Sequence, residues 1–191
     1  MHRFACRTLK FLTKRTQSHS GFPCQPCVIR YKIFQILQFF QCVEKPCFGI
    51  CQAPDLLIVR GFSSVETQDY PQAIADYKRV IEIDPQSLLG WGNLTWTLYC
   101  TGDLTGAIEA GRKAQAIDPT AFWIWANLGL CYAAKGDWQS ARPLYETRLS
   151  GASETAIKGA LTEIEKALRK NPDGAALKQA QVLLKSRLLH K

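Results

Sequence analysis

The side chains best suited to chemistry are concentrated at one end of the sequence. Six of the eight cysteines (Cys6, Cys24, Cys27, Cys42, Cys47 and Cys51) fall within the first 51 residues. Thiolates bind zinc and attack electrophiles, so their spacing is informative. Cys24-Gln-Pro-Cys27 is a ligand pair, and with Cys42 and Cys47 it supplies four candidate metal ligands. The second half departs from the usual pattern: four residues separate Cys42 from Cys47 and three separate Cys47 from Cys51, where a second C-x2-C would be expected. Nucleophilic catalysis needs a base beside its thiol. The three histidines, His2, His19 and His190, all lie near the termini, away from Cys100 and Cys131. Acids such as Glu82, Glu109 and Glu146 are spread singly along the chain, as on solvated helix faces. No enzymatic constellation emerges, and no cofactor is expected. Gly90-Trp91-Gly92 lacks the third glycine of a dinucleotide fingerprint, and Asn93-Leu94-Thr95, though formally a glycosylation sequon, lies in a helical pattern.

Charge divides the chain at the same place as the cysteines. Residues 1–54 hold eight Lys/Arg against the single acid Glu44, a net +7 of the chain's +8, so sixteen bases and fifteen acids remain beyond them. The basic balance therefore belongs to an N-terminal tail, and nucleic-acid binding is not expected of the remainder. The first fifteen residues are basic and free of acids, as in an organelle transit peptide, and an unstructured tail fits equally well. No stretch of about 18 uncharged apolar residues is present, so no membrane span is expected, and a soluble intracellular protein is.

Beyond residue 54 the dominant feature is repetition. Trp91, Asn93 and Leu94 recur as Trp125, Asn127 and Leu128, 34 residues on. At the same offset Gly102-Asp103 recurs as Gly136-Asp137, Ala107 as Ala141, and Ile83-Asp84-Pro85 as Ile117-Asp118-Pro119. Such a period signals a stacked array of supersecondary units. Gly102 and Gly136 would end the first helix of a pair, Asp103 and Asp137 would cap the second, Pro71 would open one and Pro85 and Pro119 would close two. Ser153 and Asp173 are candidate caps for two further helices, whose stripes are Ile157, Leu161, Ile164, Leu168 and Leu177, Ala180, Leu184, Leu188.

The period and these residues resemble the tetratricopeptide-repeat (TPR) pattern W-x2-L-G-x2-Y, A-x3-F, A, P. The unit from Phe122 matches best, through Trp125, Leu128, Gly129, Tyr132, Ala141 and Tyr145, then departs at Arg148. The unit from Leu88 has Trp91, Leu94, Ala107, Ala114 and Pro119 but carries Thr95 where Gly is usual and Gly111 where an aromatic is usual. In the unit from Pro54 only Gly61 fits the first helix, while Ala73, Tyr77 and Pro85 fit the second. The resemblance implies an all-α TPR-type α-solenoid: three helix-turn-helix units over 55–150 and C-terminal capping helices, or a degenerate fourth unit, over 151–191. Residues 1–54 form the tail.

The resemblance further implies a groove lined by the first helices. Its residues here are Asp55, Ile58, Val59, Phe62, Val65 and Glu66, then Leu89, Gly92, Asn93, Trp96, Tyr99 and Cys100, then Trp123, Ala126, Asn127, Leu130, Ala133 and Ala134. The expected function is a non-catalytic scaffold that holds a protein or peptide ligand, with Asn93, Trp96, Tyr99, Trp123, Asn127 and Leu130 at the site. The lining holds no Lys or Arg, so an apolar ligand is expected rather than the acidic chaperone C-termini that other TPR grooves clamp through basic residues. The alternative for Trp96 and Trp123 is packing against neighbouring helices. Alternative functions are a metal-binding or organelle-targeted adaptor working through the Cys-rich tail, and self-association by stacking.

Overall fold

The computed structural model describes residues 53–149 and 151–189. Cys24, Cys27, Cys42, Cys47 and the rest of the tail lie outside them, as does His190, so the metal and targeting expectations fall on residues outside the description. Among the described residues all regular structure is helical, in the order α1 (Pro54–Glu66), α2 (Tyr70–Ile83), α3 (Leu88–Thr101), α4 (Leu104–Ile117), α5 (Phe122–Ala134), α6 (Trp138–Leu149), α7 (Glu154–Lys170) and α8 (Ala175–Leu189).

Each hairpin is shaped by residues that recur every 34 positions. Asp69, Asp103 and Asp137 precede the second helices and accept from the backbone N–H of Gln72 (3.3 Å), Gly106 (2.9 Å) and Ser140 (3.0 Å). Such caps each contribute about 1 kcal/mol. Gly102 and Gly136 end the first helices with φ of 86° and 85°, in the left-handed region where a Cβ is strained. The equivalent residue of the first hairpin is Gln68, which takes φ 62° without being glycine. Ser153 caps α7 by accepting from Ala156 N–H. Asp173 does not cap α8: Gly174 immediately precedes the helix, and the Asp173 carboxylate stands exposed, 4.0 Å from Lys178.

Packing follows the same period. Ala73, Ala107 and Ala141 have no exposed surface, and each lets a second helix close on its partner. The indole N–H of Trp91 donates to the carbonyl of Pro85 and that of Trp125 to Pro119, both at 2.9 Å. Each unit is thus fastened to the loop before it. Leu57, 34 residues before Trp91, fills the corresponding place in α1 as a buried aliphatic side chain. Near it the buried carboxylate of Asp76 pairs bidentately with Arg60 (2.8 and 2.5 Å) and accepts from Gln72.

Position eight of the first helix and the aromatic position of the second form a complementary pair in every unit. A Cβ on Gly61 would meet the Tyr77 ring at 2.8 Å, and one on Gly129 the Tyr145 ring at 2.7 Å. In the middle unit the sizes are exchanged. Thr95 occupies the glycine's place, Gly111 the tyrosine's, and a Cβ on Gly111 would lie 2.9 Å from Leu128 Cδ1 and 3.2 Å from the Thr95 methyl. The two departures from the family pattern compensate one another.

Each first helix packs on the second helix of its own unit, and each second helix on the next first helix. The first helices α1, α3 and α5 also touch in series, while among the described residues α2, α4 and α6 make no comparable contact with one another. The first helices therefore form the inner layer of the curve. The terminal pair breaks this scheme: α8 packs on α6 and α5, and α7 packs on α5 and α8.

Candidate functional site

The inner layer presents three successive helix faces. On α1 it shows Phe62, 40% exposed, and on α3 Leu89, 51% exposed. Asn93 and Asn127 are half-buried, and their carboxamides make no hydrogen bond among the described residues. Each retains donors and an acceptor for an extended or helical backbone. Trp96 and Tyr99 are half-buried and stack at a tilt, with centroids 5.4 Å apart and planes at 34°. Trp123 crosses to α3: a Cβ on Gly92 would fall 2.1 Å from its ring, so glycine at 92 is what lets the indole lie against the α3 backbone. Leu130 is only 2% exposed and belongs to the main core cluster with Ile157, Ile164 and Ala167 of α7.

The six residues singled out in the sequence thus occupy one layer in two settings. Asn93, Trp96, Tyr99 and Asn127 retain accessible surface, Trp123 is engaged with Gly92, and Leu130 is covered. The extra apolar surface at Phe62 and Leu89 follows from the same register, since both are inner positions of their helices.

Electrostatics leave this surface chemically quiet. Burial, helped by neighbouring Cys100, pushes the Cys131 thiol up to about 12, and burial also raises Cys100. Both remain protonated at neutral pH, the opposite of an activated nucleophile. Burial, then the nearby thiols and Glu163, pushes Tyr99 up to about 12. No group of three His, Cys, Asp or Glu residues that could hold a metal ion occurs among the described residues. Nor is any described helix long and apolar enough to cross a membrane.

A curved array of helical hairpins packed in series is the architecture of an α-solenoid. Residues 63–122 match the family model described as Tetratricopeptide repeat. The chain is 27% identical over 105 residues to the small glutamine-rich tetratricopeptide repeat-containing protein 2 of Mycosarcoma maydis, a match spanning 54% of this chain and 30% of that one. Among solved structures, MamA is similar with a TM-score of 0.55 at 19% identity, over 71% of this chain and 78% of MamA. The first TPR of Spaghetti (RPAP3) bound to the HSP90 peptide SRMEEVD is similar with a TM-score of 0.43 at 15% identity, over 72% of this chain and 94% of that one.

Proposed function

We propose that the protein is a non-catalytic scaffold that holds an apolar protein segment against the inner layer of its first helices. The observation that carries this is the accessible surface that Phe62, Leu89, Asn93, Trp96 and Asn127 retain on the first helices, apolar and aromatic with two carboxamides that make no hydrogen bond among the described residues. Aromatic side chains bury large areas at small entropic cost, and paired amides hold a ligand backbone in register. No inner position carries Lys or Arg. At these first-helix positions an acidic C-terminal peptide would find no cation to pair with its carboxylates, so binding there should depend weakly on ionic strength.

The test compares two fluorescent probes on the full chain: an amphipathic helical peptide with Leu at i, i+3, i+4 and i+7, and the acidic peptide SRMEEVD. The first is expected to bind and to lose at least about tenfold in affinity when Leu89→Ser and Trp96→Ala are combined, the size of a hot-spot loss. Preference for the acidic peptide, or helical-peptide binding indifferent to those substitutions in a folded variant, would refute the reading.

Self-association is a second reading, favoured by Val182 and Leu189 standing exposed on α8, where a further repeat would stack. It predicts a mass that rises with concentration and returns to the monomer's in Val182→Lys.

A further inference from the structure

We infer that α7 is the chain's own occupant of the inner groove, and that the external ligand for this stretch is an amphipathic helix that displaces it. This rests on the groove reading above and adds both the kind of partner and the competitor built into the chain.

Within the inner layer, the residues that share a cluster with α7 are the most fully buried. On α5, Leu130 and Ala133 are almost fully covered, and they share a core cluster with Ile157, Ile164 and Ala167 of α7. On α3, Trp96 and Tyr99 are half-covered. On α1, Phe62 is exposed. Among the helix pairs of this layer, α7 packs on α5. Its Glu163, Lys166 and Lys170 also reach the electrostatic surroundings of Cys100 at the end of α3, and Glu163 those of Tyr99. It therefore lies over α5 and extends toward α3, where an inner-face ligand would lie.

The sequence of α7 fits a ligand. Ile157, Leu161, Ile164 and Leu168 form one apolar stripe, the pattern by which helices enter apolar grooves. Within the helix Lys158 pairs with Glu154 and Lys166 with Glu163, while Glu165 pairs with Lys185 and accepts from Gln181 of α8. The contact of α7 with α5 thus rests on apolar side chains, which another helix can reproduce. The helix is also internally weakened by Gly159, mid-helix and exposed, whose Cβ would meet nothing within 4 Å. Once undocked, the helix loses the tertiary packing of its apolar face, which supplies most of a helix's stability in a protein.

A ligand competing with α7 binds in proportion to the fraction of molecules in which α7 is released. The probe is a fluorescein-labelled synthetic peptide of residues 153–171, offered to the full chain as wild type, Gly159→Pro and Gly159→Ala. Proline breaks α7 without touching the groove, and alanine strengthens α7 in open space. Relative to wild type, the Pro variant is expected to bind the probe at least about tenfold more tightly, because interior proline removes the helix that competes. The Ala variant is expected to bind on the order of fivefold more weakly, following the Gly-to-Ala difference in helix propensity. Equal affinities in all three, or no binding by any, would overturn the inference. Should the Pro variant lose the helicity of α1–α6, amide hydrogen exchange decides: α7 exchanging faster than α5 and slowed by Gly159→Ala supports displacement, and α7 protected like α5 overturns it. Loss of the groove reading is recognised separately: the probe binds the Pro variant, yet Trp96→Ala in that background leaves its affinity unchanged.

Discussion

The exchange of sizes between Thr95 and Gly111 shows how a single contact carries the family pattern. In the outer two units a tyrosine ring lies over a glycine, and only one partner of each pair can be large because interiors are packed to crystal density. In the middle unit Thr95 is buried, its hydroxyl donates to the carbonyl of Trp91 at 2.8 Å, and its methyl together with Leu128 takes the space a tyrosine would need. Gly111→Tyr alone is therefore expected to destabilise by about 3 kcal/mol, the upper range for overpacking a core. Combining it with Thr95→Gly should recover at least about 1 kcal/mol, since residues in contact couple by that order. Urea unfolding of the two single variants and the double variant measures the coupling, and additive losses would show that the two sites are independent.

At the scale of the helix, the left-handed position of the hairpin turns is glycine in two units and glutamine in the first. Gly102 and Gly136 adopt the left-handed conformation freely, whereas Gln68 does so with a Cβ that resists it. Gln68→Gly should stabilise the protein by about 1 kcal/mol and raise Tm by roughly 3–5 °C, with Gly102→Ala doing the reverse. Calorimetry of both variants checks the pair of signs, and a fall in Tm for Gln68→Gly would show that the turn is not strained. The second and third units were legible in sequence because Trp91/Trp125, Gly102/Gly136 and Asp103/Asp137 repeat with identical residue types. Gln68 and Leu57 were not legible, because they meet the same backbone and packing demands with residues that share no letter with Gly or Trp. Nor was the covering of Leu130. Periodicity gives α7 an apolar stripe, but which helix that stripe meets is settled only when α8 takes the place beside α6 and leaves α7 to α5. Pro143, interior to α6 and exposed, follows no pattern of the array.

At the scale of the molecule, the array holds the thiol and phenol groups of its core neutral, and this sets where stability fails at high pH. Burial and neighbouring Cys100 lift Cys131 from an ordinary value of 9.0 to about 12, and burial with nearby thiols lifts Tyr99 from 10.0 to about 12. Tyr77 and Tyr145 are raised too, both chiefly by burial. In the unfolded chain these groups ionise near their ordinary values, so from about pH 9 upward the unfolded state binds fewer protons than the folded one. The stabilisation is fully present below pH 9 and declines as pH rises toward 12, by about 1.4 kcal/mol per pH unit for each group that has ionised only in the unfolded state. Cys131, Tyr99 and Tyr145 act on one another within one part of the core, so their losses should come together as one cooperative transition. On the acid side Asp118 and Asp137 are lowered by hydrogen bonds from Thr120 and Ser140. Their contribution is present above the ordinary carboxylate range and lost as pH falls through the lowered values, and both are exposed to solvent screening. Tm followed by circular dichroism should therefore hold between pH 5 and 8 and fall steeply above pH 9, with the tyrosinate absorbance that Tyr99→Phe and Tyr145→Phe remove rising only as helicity is lost. Cys131 should resist a thiol reagent until the same pH. A helical signal unchanged to pH 12, or ionisation of Tyr99 or Tyr145 before unfolding, would mean that the inner core is wetter than the packing of α5, α6 and α7 requires.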